Sequence, residues 1–322
     1  MKSFIRTCLV TMILFTCVFT PTFAWWEGIQ DNTIFSGDTD LSVELPTMVD
    51  PNSPFFESFT EANRVNVLLM GINTNLADTI MLASYDMDTD NIYLVSIPRD
   101  TYYPREGHPS PGKKKINASY ADDGALGLAT AVSDLLEGIP INFYMKIEYE
   151  GVANIVDAMG GVPMNITIPG GMHYSDPYDD PPLVIDIPEG YQVLDGEHAI
   201  QFLRYRKGYS EGDIGRIKAQ QEFMKSAFKQ ALGLNIINTV RSVLENVESD
   251  VNVKTVVTLA KKATSLSGDK LSTYMVPGVA DYGEGGLSFW FADEAGIQQM
   301  LTEIYSMTPP ASEPDTDGTT TQ

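Results

Sequence analysis

The stretch Asn91-Ile92-Tyr93-Leu94-Val95-Ser96-Ile97-Pro98-Arg99-Asp100 decides how this chain is read. Asn91–Ile97 is dominated by β-branched and aromatic residues and reads as a strand. Pro98 has no N–H to give to a ladder, so the strand stops there and Arg99 and Asp100 enter a loop. Upstream, Val65–Met70 and Thr79–Tyr85 read as two further strands. A cation and a carboxylate at a strand end, followed by the lysine run Lys113-Lys114-Lys115, mark the kind of place where α/β folds hold phosphorylated ligands.

Outward from that point, helical and extended patterns alternate. Helices are expected over Asp123–Glu137 (apolar at Leu128, Val132, Leu135 and Leu136), Tyr149–Met159 (ended by Gly160-Gly161), Gly196–Tyr205, Ile214–Leu232, Ile236–Val247, Val253–Ser265 and after Ala292. Strands are expected over Phe143–Ile147, Val162–Ile166, Leu183–Ile187 and Leu271–Val276. The alternation predicts an α/β chain: an α/β/α sandwich around a central mixed β-sheet. The apolar stripe from Leu128 to Leu136 reads as core.

The ends have a different character. Lys2 and Arg6 precede the apolar run Cys8–Phe19 and a small-residue exit, Thr22-Phe23-Ala24, which is the pattern of a signal peptide over residues 1–24. Counted from Phe4 to Trp26, the same segment reads as a short membrane anchor. Either way the chain is exported, to the outer face of the cytoplasmic membrane or beyond. Residues 25–63, rich in Pro, Asp, Ser and Thr, read as a spacer; 64–308 form the main domain; 309–322 read as a disordered tail. Both cysteines, Cys8 and Cys17, lie in the leader, so a chain cleaved after Ala24 has no disulfide, thiolate metal site or thiol nucleophile. Cleavage there takes the formal charge from -22 to -24. That charge, with export, argues against nucleic acid as a partner.

In so acidic a chain the basic residues are unevenly placed. Five fall between Arg99 and Lys115, and five more between Arg204 and Lys218. Arg204 and Arg206 sit at a predicted helix end, where a cation complements the dipole; that explains one of them, not both. Asp213 is expected to cap the next helix. Arg216 falls in that helix's first turn, which the dipole disfavours unless an anion is its partner. Gln220, four residues on, shares its face. Guanidinium groups chelate phosphate oxygens in pairs, and three of them match the charge of a diphosphate. Asp78, after the loop Gly71–Asn75, is either a turn cap or a carboxylate placed to hold Mg²⁺, with Mn²⁺ as the alternative ion.

Taken in order, several stretches resemble the LytR-CpsA-Psr family of cell-envelope proteins. They are Val67-Leu68-Leu69-Met70-Gly71, Ala77-Asp78-Thr79-Ile80-Met81-Leu82, Ser96–Thr101, Lys115-Ile116-Asn117-Ala118, Ile155–Val162, Leu194-Asp195-Gly196-Glu197, Arg204-Tyr205-Arg206, Asp213, Gly215-Arg216 and Gln220-Gln221. The motif-bearing part is 66–229. The resemblance implies an extracytoplasmic phosphotransferase that moves a glycopolymer phosphate (teichoic acid, capsule or similar) from an undecaprenyl-diphosphate carrier to peptidoglycan, as in Gram-positive-type walls. It further implies that Asp78, with Asn73, binds Mg²⁺. Arg99, Lys115, Arg204, Arg206, Arg216 and Gln220 would hold the diphosphate, and Asp100 or Asp213 would serve as acceptor-hydroxyl base beside Arg99. The chain departs from the family's pattern at three positions: Asn73 replaces a metal-binding aspartate, and Leu76 and Ala219 replace arginines. These departures predict reduced turnover. A binder without turnover and a polyprenyl-diphosphate hydrolase are the competing expectations.

Overall fold

The computed structural model describes residues 49–178, 182–232, 236–251 and 267–305. The described chain opens with a short helix, α1 (Phe56–Glu61), and then three strands: β1 (Arg64–Asn73), β2 (Leu76–Asp86) and β3 (Asn91–Ile97). Next come α2 (Ala118–Leu135), β4 (Phe143–Glu148), α3 (Tyr149–Met159) and the short strands β5 (Val162–Ile166), β6 (Met172–Asp176), β7 (Leu183–Ile187) and β8 (Gly190–Leu194). Helices α4 (Gly196–Arg204), α5 (Asp213–Ala231) and α6 (Ile236–Asn246) lead to β9 (Glu248–Ser249), β10 (Leu271–Met275), β11 (Gly278–Tyr282), β12 (Ser288–Ala292) and α7 (Glu294–Ile304). Apart from Val251, the described residues fall in one unit.

The central sheet has six strands in the order β10-β3-β2-β1-β4-β9. β1, β2 and β3 pair antiparallel, whereas β4 runs parallel to β1 and β10 parallel to β3. The sheet is therefore mixed, as its alternation with helices predicts. Side chains alternate across it: Leu68, Met70 and Ile72 from β1, Ile80 and Leu82 from β2, and Val95 and Ile97 from β3 face one core, which α2 and α7 cover through Leu128, Val132, Ile297 and Leu301. On the opposite face, α5 is tied down by Gln220 to Thr79 Oγ1 (3.4 Å) and Gln221 to Ser96 Oγ (3.0 Å). A second core, with Val156, Met159, Ile185, Ile187, Phe202 and Phe223 at its centre, joins α3, α4 and α5 to the small ladders β5–β8 and β6–β7.

Most expected elements stand where the sequence places them. The Leu128–Leu136 stripe packs in the core. α3 stops at Gly160, whose φ of 83° closes the helix in the left-handed conformation. α2 begins at Ala118 instead of Asp123, and the difference has a local cause: Asp123 and Gly124 (φ 63°) leave helical geometry, so two segments meet at a kink. β6, β8, β11 and β12, each five residues long, were not expected from the sequence: β8 and β11 open on glycine, β6 is largely polar, and β12 is a short aromatic run with no clear alternation. The helix expected over Val253–Ser265, the leader and the tail lie outside the described residues. Among those described, no helix is long and apolar enough to cross a membrane.

The assignment of 25–63 wholly to a spacer is corrected. Phe55 and Phe59 are buried in the first core, stacked at 5.5 Å, and Phe59 meets Tyr305 edge-on at 5.0 Å. The low apolar content around α1 masks two aromatic anchors. Phe59→Ala is expected to cost about 3 kcal/mol of stability in denaturant unfolding. A true spacer residue would leave the transition where it is.

Candidate diphosphate site

Gly71 pairs with Thr79 across β1 and β2, but Ile72 pairs with Ala77, so the register shifts and Asp78 is the extra residue. A bulge of this kind re-aims a side chain at a sheet end. Asp78 meets Arg99, delivered by the loop that Pro98 begins: Asp78 Oδ1 accepts from the Arg99 guanidinium, and Asp78 Oδ2 accepts from Asn73 Nδ2 at 3.3 Å. On the other side of a small cleft stands the first turn of α5. The cleft is lined by Asp78, Thr79, Arg99, Asp213, Arg216 and Gln220, among others. The loop after β3, the bulge in β2 and the start of α5 thus bring together residues separated by more than a hundred positions in the chain.

Arg216 is only 8 % exposed. Its Nη2 lies 2.9 Å from Asp213 Oδ1, but its Nε, like that of Arg99, is buried without a hydrogen-bond partner in the protein. Asp213 is the first helical residue, not the cap expected from the sequence: Gly212, at φ 58°, takes the capping position. The Asp213 carboxylate is thereby left to Arg216. Burial pulls the Arg216 guanidinium below its ordinary range, and the nearby charges of Arg99 and Arg206 push the same way against Asp213 and Asp78. Arg99 goes the other way. Burial would lower it, but the carboxylates of Asp78, Asp100 and Asp213 together hold it above its usual value. Two guanidinium groups on one cleft, each with a buried and unused Nε donor, are suited to take an oxyanion. Gln220 adds an amide, held by Leu203 O at 3.2 Å.

The remaining expected residues divide. Arg204 closes α4 and lies over the Tyr149 ring, 4.9 Å from its centroid. Arg206 lies beyond the α4 C-cap, exposed to solvent, and contributes charge to Arg216. Lys115 pairs with Asp100 at 2.9 Å, next to the cleft and over Phe289. The lysine run does not act as one cluster. Lys113 joins Arg105 and His108 around Asp122, and Lys114 pairs with Glu284, so only Lys115 faces Asp100.

Tyr149 is the site residue the sequence reading missed. Burial raises its hydroxyl's pKa first, Asp78 adds to that, and Arg204, Arg216 and Arg99 oppose it. The ring therefore stands among the charges of the cleft. Its signal was an aromatic residue at the junction of β4 and α3, a position that also reads as ordinary helix-start packing.

Among the described residues no group of three or more His, Cys, Asp or Glu side chains is placed to hold a metal ion. A metal held mainly by substrate phosphates needs less: Mg²⁺ in such sites takes one or two carboxylates and completes its shell with phosphate and water. Asp78 supplies one carboxylate at the cleft, and a carboxylate has lone pairs beyond those taken by Arg99 and Asn73. The donor set fits that mode of binding.

Comparison with known proteins places this geometry in a context. A model of the LytR_cpsA_psr family matches residues 36–306. The polyisoprenyl-teichoic acid–peptidoglycan teichoic acid transferase TagU of Oceanobacillus iheyensis is 28% identical over 267 residues, which cover 76% of this chain and 77% of that protein. Two solved structures share the fold. The crystal structure of TagV from B. subtilis has a TM-score of 0.63 at 22% identity and covers 77% of this chain and 100% of its own. A TagT structure bound to LIIa-WTA has a TM-score of 0.62 at 20% identity and covers 77% of this chain and 91% of its own.

Proposed function

The chain belongs to the LytR-CpsA-Psr family, and on that basis we propose that it is a phosphotransferase attaching a polyprenyl-diphosphate-linked anionic glycopolymer of the teichoic acid type to peptidoglycan. The observation that carries this reading is the pair Arg99 and Arg216, which line one cleft and each hold a buried Nε donor that no protein group takes up. The TagU relatives act in their own names on teichoic acid and peptidoglycan, which supports the same donor and acceptor here. The protein works outside the cytoplasmic membrane, to which residues 1–24 direct it as signal or anchor.

In the reaction, a peptidoglycan hydroxyl attacks the phosphorus that carries the glycopolymer. The new P–O bond replaces the P–O bond to the second phosphorus, and polyprenyl monophosphate leaves. The hydroxyl proton passes to Asp213 or Asp100. Arg99 and Arg216 donate to the phosphoryl oxygens, Gln220 lines the cleft beside them with its amide donors given to Thr79 Oγ1 and Leu203 O, and Arg204 and Arg206 add positive charge at the rim. Such fixed donors lower the barrier because they need no reorganisation as charge moves onto the leaving phosphate. Mg²⁺, held by Asp78 with Asn73 beside it, would supply further charge neutralisation when bound.

The reading of a binder with little turnover draws on three side chains. Leu76 is 43% exposed where the family pattern has an arginine, Ala219 packs against the second core, and Asn73 brings no charge. Missing cations lower rate more than binding, since phosphoryl transfer depends on charge placed for the transition state. The combined change Asn73→Asp, Leu76→Arg and Ala219→Arg is therefore expected to raise the rate of polymer attachment to purified peptidoglycan. A binder would show tighter ligand uptake and no attachment. Wild-type transfer equal to that of the variant would show that the three positions do not limit catalysis.

A further inference from the structure

We propose that Gln221 is a positioning residue: its side-chain amide locks α5 to the strand that delivers Arg99, and so holds Arg216 at the cleft. The inference rests on the diphosphate reading above. Gln221 Nε2 donates to Ser96 Oγ in β3 at 3.0 Å and to Tyr274 O in β10 at 2.6 Å. Ser96 is 2 % exposed and stands just ahead of the Ile97-Pro98-Arg99 run. An amide NH₂ carries two protons, and the neighbouring strands β3 and β10 take one each. An ionised glutamate of the same shape would bring only acceptors against Tyr274 O.

The helix needs such a device. Among the buried residues of α5 only Ile217 and Phe223 bring large apolar side chains, the others being Gly215, Arg216 and Gln220. Apolar contact is non-directional and lets a helix turn or slide a little, whereas a hydrogen bond fixes distance and angle. Gln220 supplies a second tie, from its Nε2 to Thr79 Oγ1 at 3.4 Å, next to Asp78. Adjacent helical positions diverge by about 100°, so the two amides reach different strands. Gln220 holds β2, which presents Asp78, and Gln221 holds β3, which leads to Arg99. The aim matters because Arg216 Nε is left without a protein partner, and a planar guanidinium serves an oxyanion only when its fork faces it.

The test is a double-mutant cycle on the full chain, with farnesyl diphosphate as probe and calorimetry as readout. Gln221→Leu and Gln221→Glu are each expected to bind about fivefold more weakly than wild type. In an Arg216→Ala background, Gln221→Leu should cost less than about twofold, since it acts through that arginine. Equal losses in both backgrounds, or full affinity in Gln221→Leu, would overturn the proposal. A second readout needs no ligand. The Arg216 Nε–H resonance should move by NMR in Gln221→Leu and stay in place in Glu222→Gln, the next residue along, which points to solvent. Ser96→Ala removes one acceptor and keeps Tyr274 O, so it should move the resonance the same way by less. This milder change carries the test if Gln221→Leu does not fold. An Arg216 resonance unmoved in the folded variants refutes the positioning role, whereas failure of the wild type to bind farnesyl diphosphate counts against the diphosphate site.

Discussion

Arg216→Ala is expected to weaken binding of a polyprenyl diphosphate by about 10- to 150-fold, the range for losing a charge-assisted contact of roughly 1.5–3 kcal/mol. Arg216 is the most enclosed cation of the cleft, at 8 % exposure, and its Nε has no partner within the protein. The change removes a bidentate donor and also strands Asp213, whose carboxylate would then repel the incoming phosphate. Arg216→Lys restores the charge but not the planar fork, so it should recover only part of the affinity. Calorimetric titration with farnesyl diphosphate separates the three proteins, and circular dichroism controls for folding. Equal affinity in all of them would remove Arg216 from the site.

Asp78→Ala is expected to lower turnover by about 10²- to 10³-fold, the loss typical when one preorganised electrostatic group is taken from a reacting centre. Binding should change far less. Asp78 is itself negative, and its removal frees the guanidinium of Arg99, which the carboxylate otherwise engages. The predicted signature is a collapse of kcat with the dissociation constant near or below that of the wild type. Treatment with EDTA should reduce wild-type turnover, with recovery on adding Mg²⁺, and the variant should not recover. Full wild-type activity in EDTA would take the metal role away from Asp78 and leave it only the task of orienting Arg99.

Much of the site was legible in the sequence because proline, glycine and charge are local signals. Pro98 ends β3 in the structure as it does on paper and so delivers Arg99. Arg216 in the first turn of a helix was anomalous for the dipole, and the structure places it at a cleft with an unsatisfied donor. What could not be read depends on register and distant packing. The bulge that makes Asp78 the extra residue arises from a shift between two strands, visible only once Gly71 is seen opposite Thr79 and Ile72 opposite Ala77. Tyr149 looked like an ordinary aromatic at a helix start, since the Arg204 that lies over its ring comes from α4, more than forty residues later. Lys113 and Lys114 looked like part of a basic patch, yet they are taken up by Asp122 and Glu284, the latter from the far end of the domain. Phe55 and Phe59 were hidden by their polar surroundings, although they anchor α1 in the first core.

The most direct test supplies the purified protein with a polyprenyl-diphosphate-linked teichoic acid carrying a label and with isolated peptidoglycan, then counts the label that becomes covalently attached. A phosphotransferase of this kind gives attachment by the wild type, release of one polyprenyl monophosphate for each polymer attached, and loss of both in Asp78→Ala. Carrier binding without any attachment would contradict this activity, as would release of polyprenyl monophosphate with the polymer left free in solution.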